Sequence, residues 1–373
     1  SPDRVAIRFE GTEISYRALH VRIQKTAGFL HNTHGIGRGD RVAYLGFNTP
    51  ECVISLFACA RLGAVYLPLN WRLASPELQY IFVDAGPIVL ICDSIHHDVG
   101  ASLIPVRSDC KLLDIEIFTS SLDVPMVNRV NSNSSNWDLP LLLVYTSGTT
   151  GHPKGVVLTQ KALYFNALNS VDMHGLTKSD HILTVLPLFH VGGLNIQTTP
   201  AFFVGATVSL HPRFDATETL SSIDRERPNL LVLVPSMMFL LNQHSNWSDT
   251  VLSSLRVVTT GSTIVPCALI KAWHEVGIPV IQVYGSTETG PVAIYQREKD
   301  AMISVGSTGR DSLHTDLRIV DNEGYDVQSG VSGELLLRGP NLFQQYWNDE
   351  AATEDVFEDG WFRTGDIGYR DEL

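Results

Sequence analysis

The stretch Tyr145-Thr146-Ser147-Gly148-Thr149-Thr150-Gly151-His152-Pro153-Lys154-Gly155 gathers hydroxyls, glycines and one lysine in a single short run. Glycines let a backbone turn tightly and bring its N–H groups close to an anion. Ser and Thr hydroxyls add donors that rotate to suit. Lys154 supplies a mobile positive charge. The chemistry this fits is the holding of a polyphosphate. It is not a Walker loop, because no Gly-Lys-Ser/Thr follows the first glycine at the required spacing. The apolar run Leu139 to Val144 precedes it and reads as a buried strand, and a second apolar run, Val156 to Leu158, follows it. A flexible surface loop is the plain alternative. Chance does not readily produce this order directly after a buried strand.

Three further stretches carry chemistry. Gln282-Val283-Tyr284-Gly285-Ser286-Thr287-Glu288-Thr289-Gly290 leaves a strand end, where parallel sheets place ligands. Tyr284 suits stacking on a flat ring. Thr287 suits a phosphate, and Glu288 is a hard oxygen ligand of the kind Mg²⁺ takes. Asp359-Gly360-Trp361-Phe362-Arg363-Thr364-Gly365-Asp366 ends in a carboxylate after a tight Thr-Gly turn. Such a carboxylate can take both hydroxyls of a ribose, although an acid in a loop is more often simply solvated. Phe189-His190-Val191-Gly192-Gly193 sets a histidine between a bulky ring and two glycines that leave room. A lone histidine in apolar surroundings is more often a core residue than a catalyst. Gly261-Ser262-Thr263 ends another strand and offers backbone groups to a ligand edge.

The elements that must position these groups read as alternating strands and helices. A hairpin over Val5 to Ile14 leads to a helix from Tyr16 to about His31, capped by Ser15. Strands are expected at Arg41 to Gly46, Gly63 to Leu67 and Val89 to Cys92, with helices opened by Pro50 and by Ser75-Pro76-Glu77. An Asn/Ser-rich linker spans Asn128 to Asp138. Thr159 caps the helix after the glycine-rich run. Strands at His181 to Val185, Thr207 to Leu210, Leu230 to Val234, Arg256 to Thr259 and Val280 to Tyr284 alternate with helices. This spacing implies largely parallel sheets. Beyond Gly290 short strands and turns dominate and read as a small antiparallel, partial-barrel unit. The fold expected is α/β: two α/β subdomains with largely parallel sheets plus a small antiparallel β-barrel-like subdomain. Residues 1–60 with 190–290 form one α/β subdomain, 61–189 the second, and 291–373 the β unit.

Composition narrows the partners. The chain has 373 residues, too many for one ordinary core. Its net charge of −13 argues against nucleic acid or an anionic membrane as partner. The five cysteines are scattered without metal-ligand spacing. The longest apolar stretch, Leu230 to Leu241, contains Pro235 and is too short to span a bilayer. No signal peptide is read at the opening, and the cytoplasm is the expected compartment.

Taken together, these stretches resemble the adenylate-forming superfamily of acyl-CoA synthetases, peptide-synthetase adenylation domains and beetle luciferases. Tyr145 to Gly155 is similar to its phosphate loop, and Tyr284-Gly285-Ser286-Thr287-Glu288 to its Tyr-Gly-x-Thr-Glu motif. Gly333-Glu334-Leu335 and Arg363-Thr364-Gly365-Asp366 match two more, in the family's order. The resemblance covers nearly the whole chain. It implies ATP, Mg²⁺ and a carboxylic acid as ligands, with CoA as second substrate. Thr146, Ser147, Gly148, Thr149, Thr150, Gly151 and Lys154 would hold the β- and γ-phosphates. Tyr284 would stack on adenine, with Gly261, Ser262 and Thr263 near its edge. Thr287 would contact the α-phosphate, Glu288 would bind Mg²⁺, and Asp366 would hold the ribose. His190, with Gly192, Gly193 and Gly285, would line the acid pocket.

Amino-acid-activating relatives carry an Asp near the position of His190. The run Pro187-Leu188-Phe189-His190 instead resembles acyl-CoA synthetases, so a fatty or aromatic acid is expected. An adenylation domain serving a carrier protein is the second reading, and a silent nucleotide-binding module a third. In this family a smaller C-terminal domain follows the last motif and supplies a further lysine. The sequence ends at Leu373, so that domain is expected to be absent, and residues 1–373 alone to make adenylate poorly and thioester hardly at all. Homodimer formation is compatible with the sequence and not specified by it.

Overall fold

Ser15 closes the first hairpin and opens the first helix. The strands Val5–Phe9 and Thr12–Ser15 pair antiparallel, and Glu10 and Gly11 turn between them at φ 45° and 77°. Two positive φ values in a two-residue loop match the twist of a hairpin. The Ser15 side chain accepts from the Ala18 amide, and the helix Tyr16–His34 runs until Gly35 ends it in a left-handed turn. A computed structural model provides this description for residues 1–106, 109–121, 137–146 and 152–372.

Among the described residues the strands form three sheets. One has nine strands in the order 310–311, 294–295, 280–284, 257–261, 230–233, 181–184, 207–210, 5–9, 12–15. Its interior pairs are parallel and its edges antiparallel. The second has seven strands in the order 345–346, 154–159, 140–146, 65–69, 41–45, 89–92, 111–114. The third is a four-stranded antiparallel unit of 316–320, 333–338, 361–368 and 357–358. The expected mixture of two largely parallel sheets and a small antiparallel one is what forms.

The main core lies between the two large sheets. Ile7, Ile182, Val208, Leu230, Val257 and Ile281 of one meet Val42, Tyr66, Leu142 and Val156 of the other through the helices 16–34, 50–62, 160–174 and 191–204. Each such aliphatic side chain buried contributes about 1.5–3 kcal/mol. Alternate residues serve the outer faces. Val258 packs with Trp273 and Met238, while Ala43 and Leu67 pack with Leu78 and Phe82.

Sheet membership departs from the expected division of the chain. The strand Arg41–Leu45 lies inside the expected first unit, yet it pairs with Val65–Leu69 and Val89–Cys92. The strand His181–Thr184, expected in the second unit, pairs with Thr207–Leu210. Residues 294–295, 310–311 and 345–346 leave the expected β unit and edge the two α/β sheets. A strand buried on both faces reads the same whichever sheet it joins, so its composition does not name its neighbour. The Asn/Ser-rich linker falls outside the described residues except for Trp137 and Asp138.

A buried polar network fastens the helix Gln160–His174 beneath the nine-stranded sheet. His174 is 1 % exposed, with Nδ1 2.9 Å from the Ser170 carbonyl and Nε2 2.8 Å from Thr259 Oγ1. Burial pushes its pKa from 6.5 down to about 4. The unfolded chain therefore binds this proton while the folded chain does not, and stability rises with pH across that window. The contribution is complete above pH 6.5 and is lost as pH falls toward about 4. It amounts to about 3 kcal/mol. Denaturant unfolding between pH 7 and pH 4 should show this loss, and a flat profile would contradict it.

Candidate nucleotide and acid site

The glycine-rich run joins two strands. Pro140–Thr146 and Lys154–Thr159 pair antiparallel, with Thr146 opposite Lys154. Ser147, Gly148, Thr149, Thr150 and Gly151 lie outside the described residues. Thr146 and Lys154, both half-buried, hold the two ends of the run together. The root is braced from behind. Tyr145 donates its hydroxyl to Asp84 Oδ2 at 2.5 Å, and burial together with that carboxylate raises the tyrosine's pKa. Gly155 is tightly packed: a Cβ there would stand 3.0 Å from side-chain atoms of Leu143, Trp347 and Tyr145, which would have to give way.

Lys154 reaches toward Glu288 through a residue that the sequence does not single out. Its Nζ lies 5.0 Å from the centre of the Tyr346 ring, within cation–π range. The Tyr346 hydroxyl donates to Glu288 Oε1 at 3.0 Å. Burial and the Glu288 carboxylate raise the Tyr346 pKa, so the phenol stays protonated and keeps donating. Strand pairing fixes this geometry. Tyr346 lies opposite Val156, and the Trp347 amide donates to the Gly155 carbonyl at 2.6 Å. The Phe343 amide donates to the Glu288 carbonyl at 2.7 Å. Segments around 154, 288 and 346 thus converge on one point.

Tyr284 and Asp366 also meet. The Tyr284 hydroxyl donates to Asp366 Oδ2 at 2.6 Å, which brings the proposed adenine and ribose contacts onto one another. Burial and this hydrogen bond raise the Tyr284 pKa. Thr287 is buried in a short 3₁₀ turn that also carries Glu288. Gly285 precedes that turn where the chain runs against itself: a Cβ there would lie 1.8 Å from the Pro291 carbonyl oxygen.

The residues expected to line the acid pocket lie at the start of the helical segment 191–204. His190 stands just before it, its ring 5.6 Å from that of Phe189. Surrounding protein and the Arg72 guanidinium lower the His190 pKa, and the ring's exposure to solvent limits both effects. Trp71 lies edge-on to Phe189 at 6.2 Å and extends this aromatic wall. Gly193 is pressed against the Pro187 carbonyl, so its missing side chain serves packing. Gly192 leaves room for a side chain, since a Cβ there would meet Ile196 at 3.9 Å and Ser262 Oγ at 4.0 Å, both ordinary contacts. Gly261 backs onto the Val283 carbonyl, and Ser262 holds a positive φ of 70°. A non-glycine residue in that region is uncommon and tends to occur where a site demands it. Ser262 and Thr263 are exposed.

Asn48 ties the two sheets together behind this mouth. Its side-chain amide donates to the Leu186 and His211 carbonyls and accepts from the Leu188 amide. Among the described residues no group of three or more His, Cys, Asp or Glu gathers as a metal cluster. A single carboxylate such as Glu288 instead fits Mg²⁺, which is held by one or two carboxylates plus substrate phosphates. A separate cleft of about 870 Å³ lies beyond this site, between the first hairpin and the helix Ala216–Glu226. Its polar groups pair among themselves, as in Arg8 with Glu13, His211 with Ser222 and Arg225 with Glu226.

Known proteins share this architecture. The model for AMP-binding enzymes matches residues 1–347. An indoleacetate–CoA ligase of Aromatoleum aromaticum is 47% identical over 382 residues, covering 99% of this chain and 74% of the relative. The inhibitor-bound N-terminal domain of FACL13 from Mycobacterium tuberculosis superposes with a TM-score of 0.92 at 32% identity, covering 100% of this chain and 94% of that one. The o-succinylbenzoate coenzyme A synthetase of Bacillus subtilis, in complex with ATP and magnesium ion, gives 0.87 at 30% identity over 100% of this chain and 75% of that one. The chain is a member of the AMP-binding enzyme family, among relatives that are acid–thiol ligases forming CoA thioesters.

Proposed function

We propose that this ligase binds ATP with Mg²⁺ across Thr146, Lys154, Tyr284, Thr287, Glu288 and Asp366, and activates an aromatic carboxylic acid held between His190, Gly192 and Gly261 to Thr263. The observation that carries the reading is the convergence of Lys154, Tyr346 and Glu288 from three distant segments. A carboxylate is a weak nucleophile and both reactants are anions. The site must therefore neutralise charge and align the acid with the α-phosphorus. A carboxylate oxygen attacks that phosphorus, the bond to the β-phosphate oxygen breaks, and pyrophosphate leaves with the electron pair. Lys154 offsets charge on the departing phosphates. A magnesium ion at Glu288 would add charge neutralisation there. Thr287 and Asp366 hold the nucleotide so that these groups stay aligned. The CoA thiolate then displaces AMP from the acyl carbon. An aromatic acid is favoured by the indoleacetate–CoA ligase relative and by the Trp71–Phe189 wall beside His190. A cytoplasmic setting accords with Cys52, Cys59 and Cys92 buried as plain thiols.

The test is acid-dependent ATP–pyrophosphate exchange by the full-length protein with a panel of aromatic and fatty acids, followed by CoA thioester formation. Exchange with aromatic acids is expected. No exchange with any acid would overturn the assignment and favour a silent nucleotide-binding module.

A further inference from the structure

We propose that Tyr80 and Asp84, on the helix Ser75–Ala85, are positioning residues that hold the phosphate side of the nucleotide site in place. This rests on the ligase reading above and deepens it. Both residues act through others, namely Thr146, Lys154 and Tyr346.

The helix is anchored by its apolar face. Leu78, Ile81, Phe82 and Ala85 are buried in one cluster with Ala43 and Leu67 of the seven-stranded sheet. Tyr80 and Asp84 are four residues apart, so they stand one above the other along the helix. Asp84 lies in the last turn, which Gly86 closes in a left-handed conformation. A carboxylate there meets the negative end of the helix dipole and is locally unfavourable. No basic residue of the helix occupies that turn to offset it. A residue that works against its own helix is explained by what it holds outside it.

Asp84 holds groups from two distant segments. Its Oδ2 accepts the Tyr145 hydroxyl at 2.5 Å. Its backbone carbonyl has no helical partner at this end of the helix. It accepts instead from Trp347 Nε1 at 3.1 Å and Asn348 Nδ2 at 3.2 Å. Tyr145 precedes Thr146, and Trp347 follows Tyr346, whose ring meets Lys154 and whose hydroxyl meets Glu288. One turn back along the helix, the Tyr80 ring stacks on His152 with centres 4.9 Å apart and planes at 22°. His152 lies two residues before Lys154. Thr146 and Lys154 face each other at the end of their strand pair, and both arms of that end are fastened to one helix. Strand pairing sets which residues lie opposite. Tyr80 and Asp84 set where that end stands, and they tie it to the segment that carries Tyr346.

The experiment measures KM for ATP and KM for the acid by acid-dependent ATP–pyrophosphate exchange on the full-length protein. Tyr80→Leu should raise the KM for ATP about 2- to 10-fold, the worth of one aromatic pair. Tyr80→Phe keeps the ring and should restore it. Asp84→Ala should raise the KM for ATP about 10-fold or more, as for a lost hydrogen bond to a charged group. Asp84→Asn still accepts from Tyr145 and should retain most of the affinity. Combining Tyr145→Phe with Asp84→Ala should cost little more than either alone, because both remove the same contact. The KM for the acid should stay unchanged throughout. Tyr80 is 37 % exposed, so thermal unfolding of Tyr80→Leu should hardly move, and this variant decides the matter if Asp84→Ala folds poorly. An unchanged KM for ATP in Tyr80→Leu overturns the proposal, as does an equal rise in the KM for ATP and for the acid. Both outcomes leave the ligase reading standing. Absence of exchange by the unaltered protein with every acid overturns that reading and this one together.

Discussion

Glu288→Gln should lower acid-dependent ATP–pyrophosphate exchange by about a hundredfold or more, close to 3 kcal/mol of barrier. The substitution keeps size and removes charge. In the proposed site it would deprive Mg²⁺ of a protein carboxylate while the backbone bond from Phe343 stays in place, so the turn should fold as before. Added Mg²⁺ should recover only a small part of the rate. Tyr346→Phe separates the two roles of that residue. Its ring still faces Lys154, but the hydroxyl that fixes Glu288 Oε1 is gone. The loss expected is about 10- to 100-fold, the scale of one hydrogen bond to a charged group, with a raised Mg²⁺ requirement. Replacing Tyr346 by Leu removes both contacts and should cost more than Tyr346→Phe. Exchange by Glu288→Gln within about twofold of the unaltered enzyme would sink the assignment of Glu288.

Locally encoded features were legible in the sequence. Ser15 and Thr159 each cap the helix that follows, because a cap depends on residues within one turn. The strand Val280–Tyr284 and the motif after it could be read because apolar runs and turn residues act where they stand. Sheet membership was not legible. Arg41–Leu45 and His181–Thr184 find neighbours through contacts between distant residues, and nothing within four or five buried residues names the neighbour.

The site divides along the same line. Residue types at Lys154, Tyr284, Glu288 and Asp366 point to their chemistry one motif at a time. That Tyr284 hydrogen-bonds Asp366 could be seen only once the small antiparallel unit was placed against the nine-stranded sheet. Tyr346 was missed altogether, since a tyrosine in a two-residue strand carries no signal of its own. Its meaning comes from pairing with Val156, which sets the ring beside Lys154. Asp84 and Asn48 were missed for the same reason, being helix-end and loop residues whose partners lie far along the chain.

Gly285→Ala should cost more than about 3 kcal/mol of stability and remove most nucleotide binding. Overpacking ordinarily costs about 1–3 kcal/mol, because side chains give way. Here the added methyl would meet the Pro291 carbonyl oxygen at 1.8 Å and its carbon at 2.6 Å, and backbone atoms do not swing aside. Thr289 Oγ1, 2.7 Å away, is itself held by the Ser286 amide. The turn from 285 to 291 must therefore open, and it carries Thr287 and Glu288. A displacement of about 1 Å at reacting groups costs on the order of a hundredfold in rate. Gly192→Ala is the matched control on the other wall. Its methyl would find only Ile196 at 3.9 Å and Ser262 Oγ at 4.0 Å, ordinary contacts that the fold accepts. Thermal unfolding should fall sharply for Gly285→Ala and hardly move for Gly192→Ala. ATP binding by calorimetry should weaken only in the first, whereas the second should raise KM for the bulkier acids with KM for ATP unchanged. Equal stability of the two variants would mean that the turn carrying Glu288 is looser than its packing against Pro291 indicates. The division of roles between a rigid nucleotide wall and a roomy acid wall would then have to be abandoned.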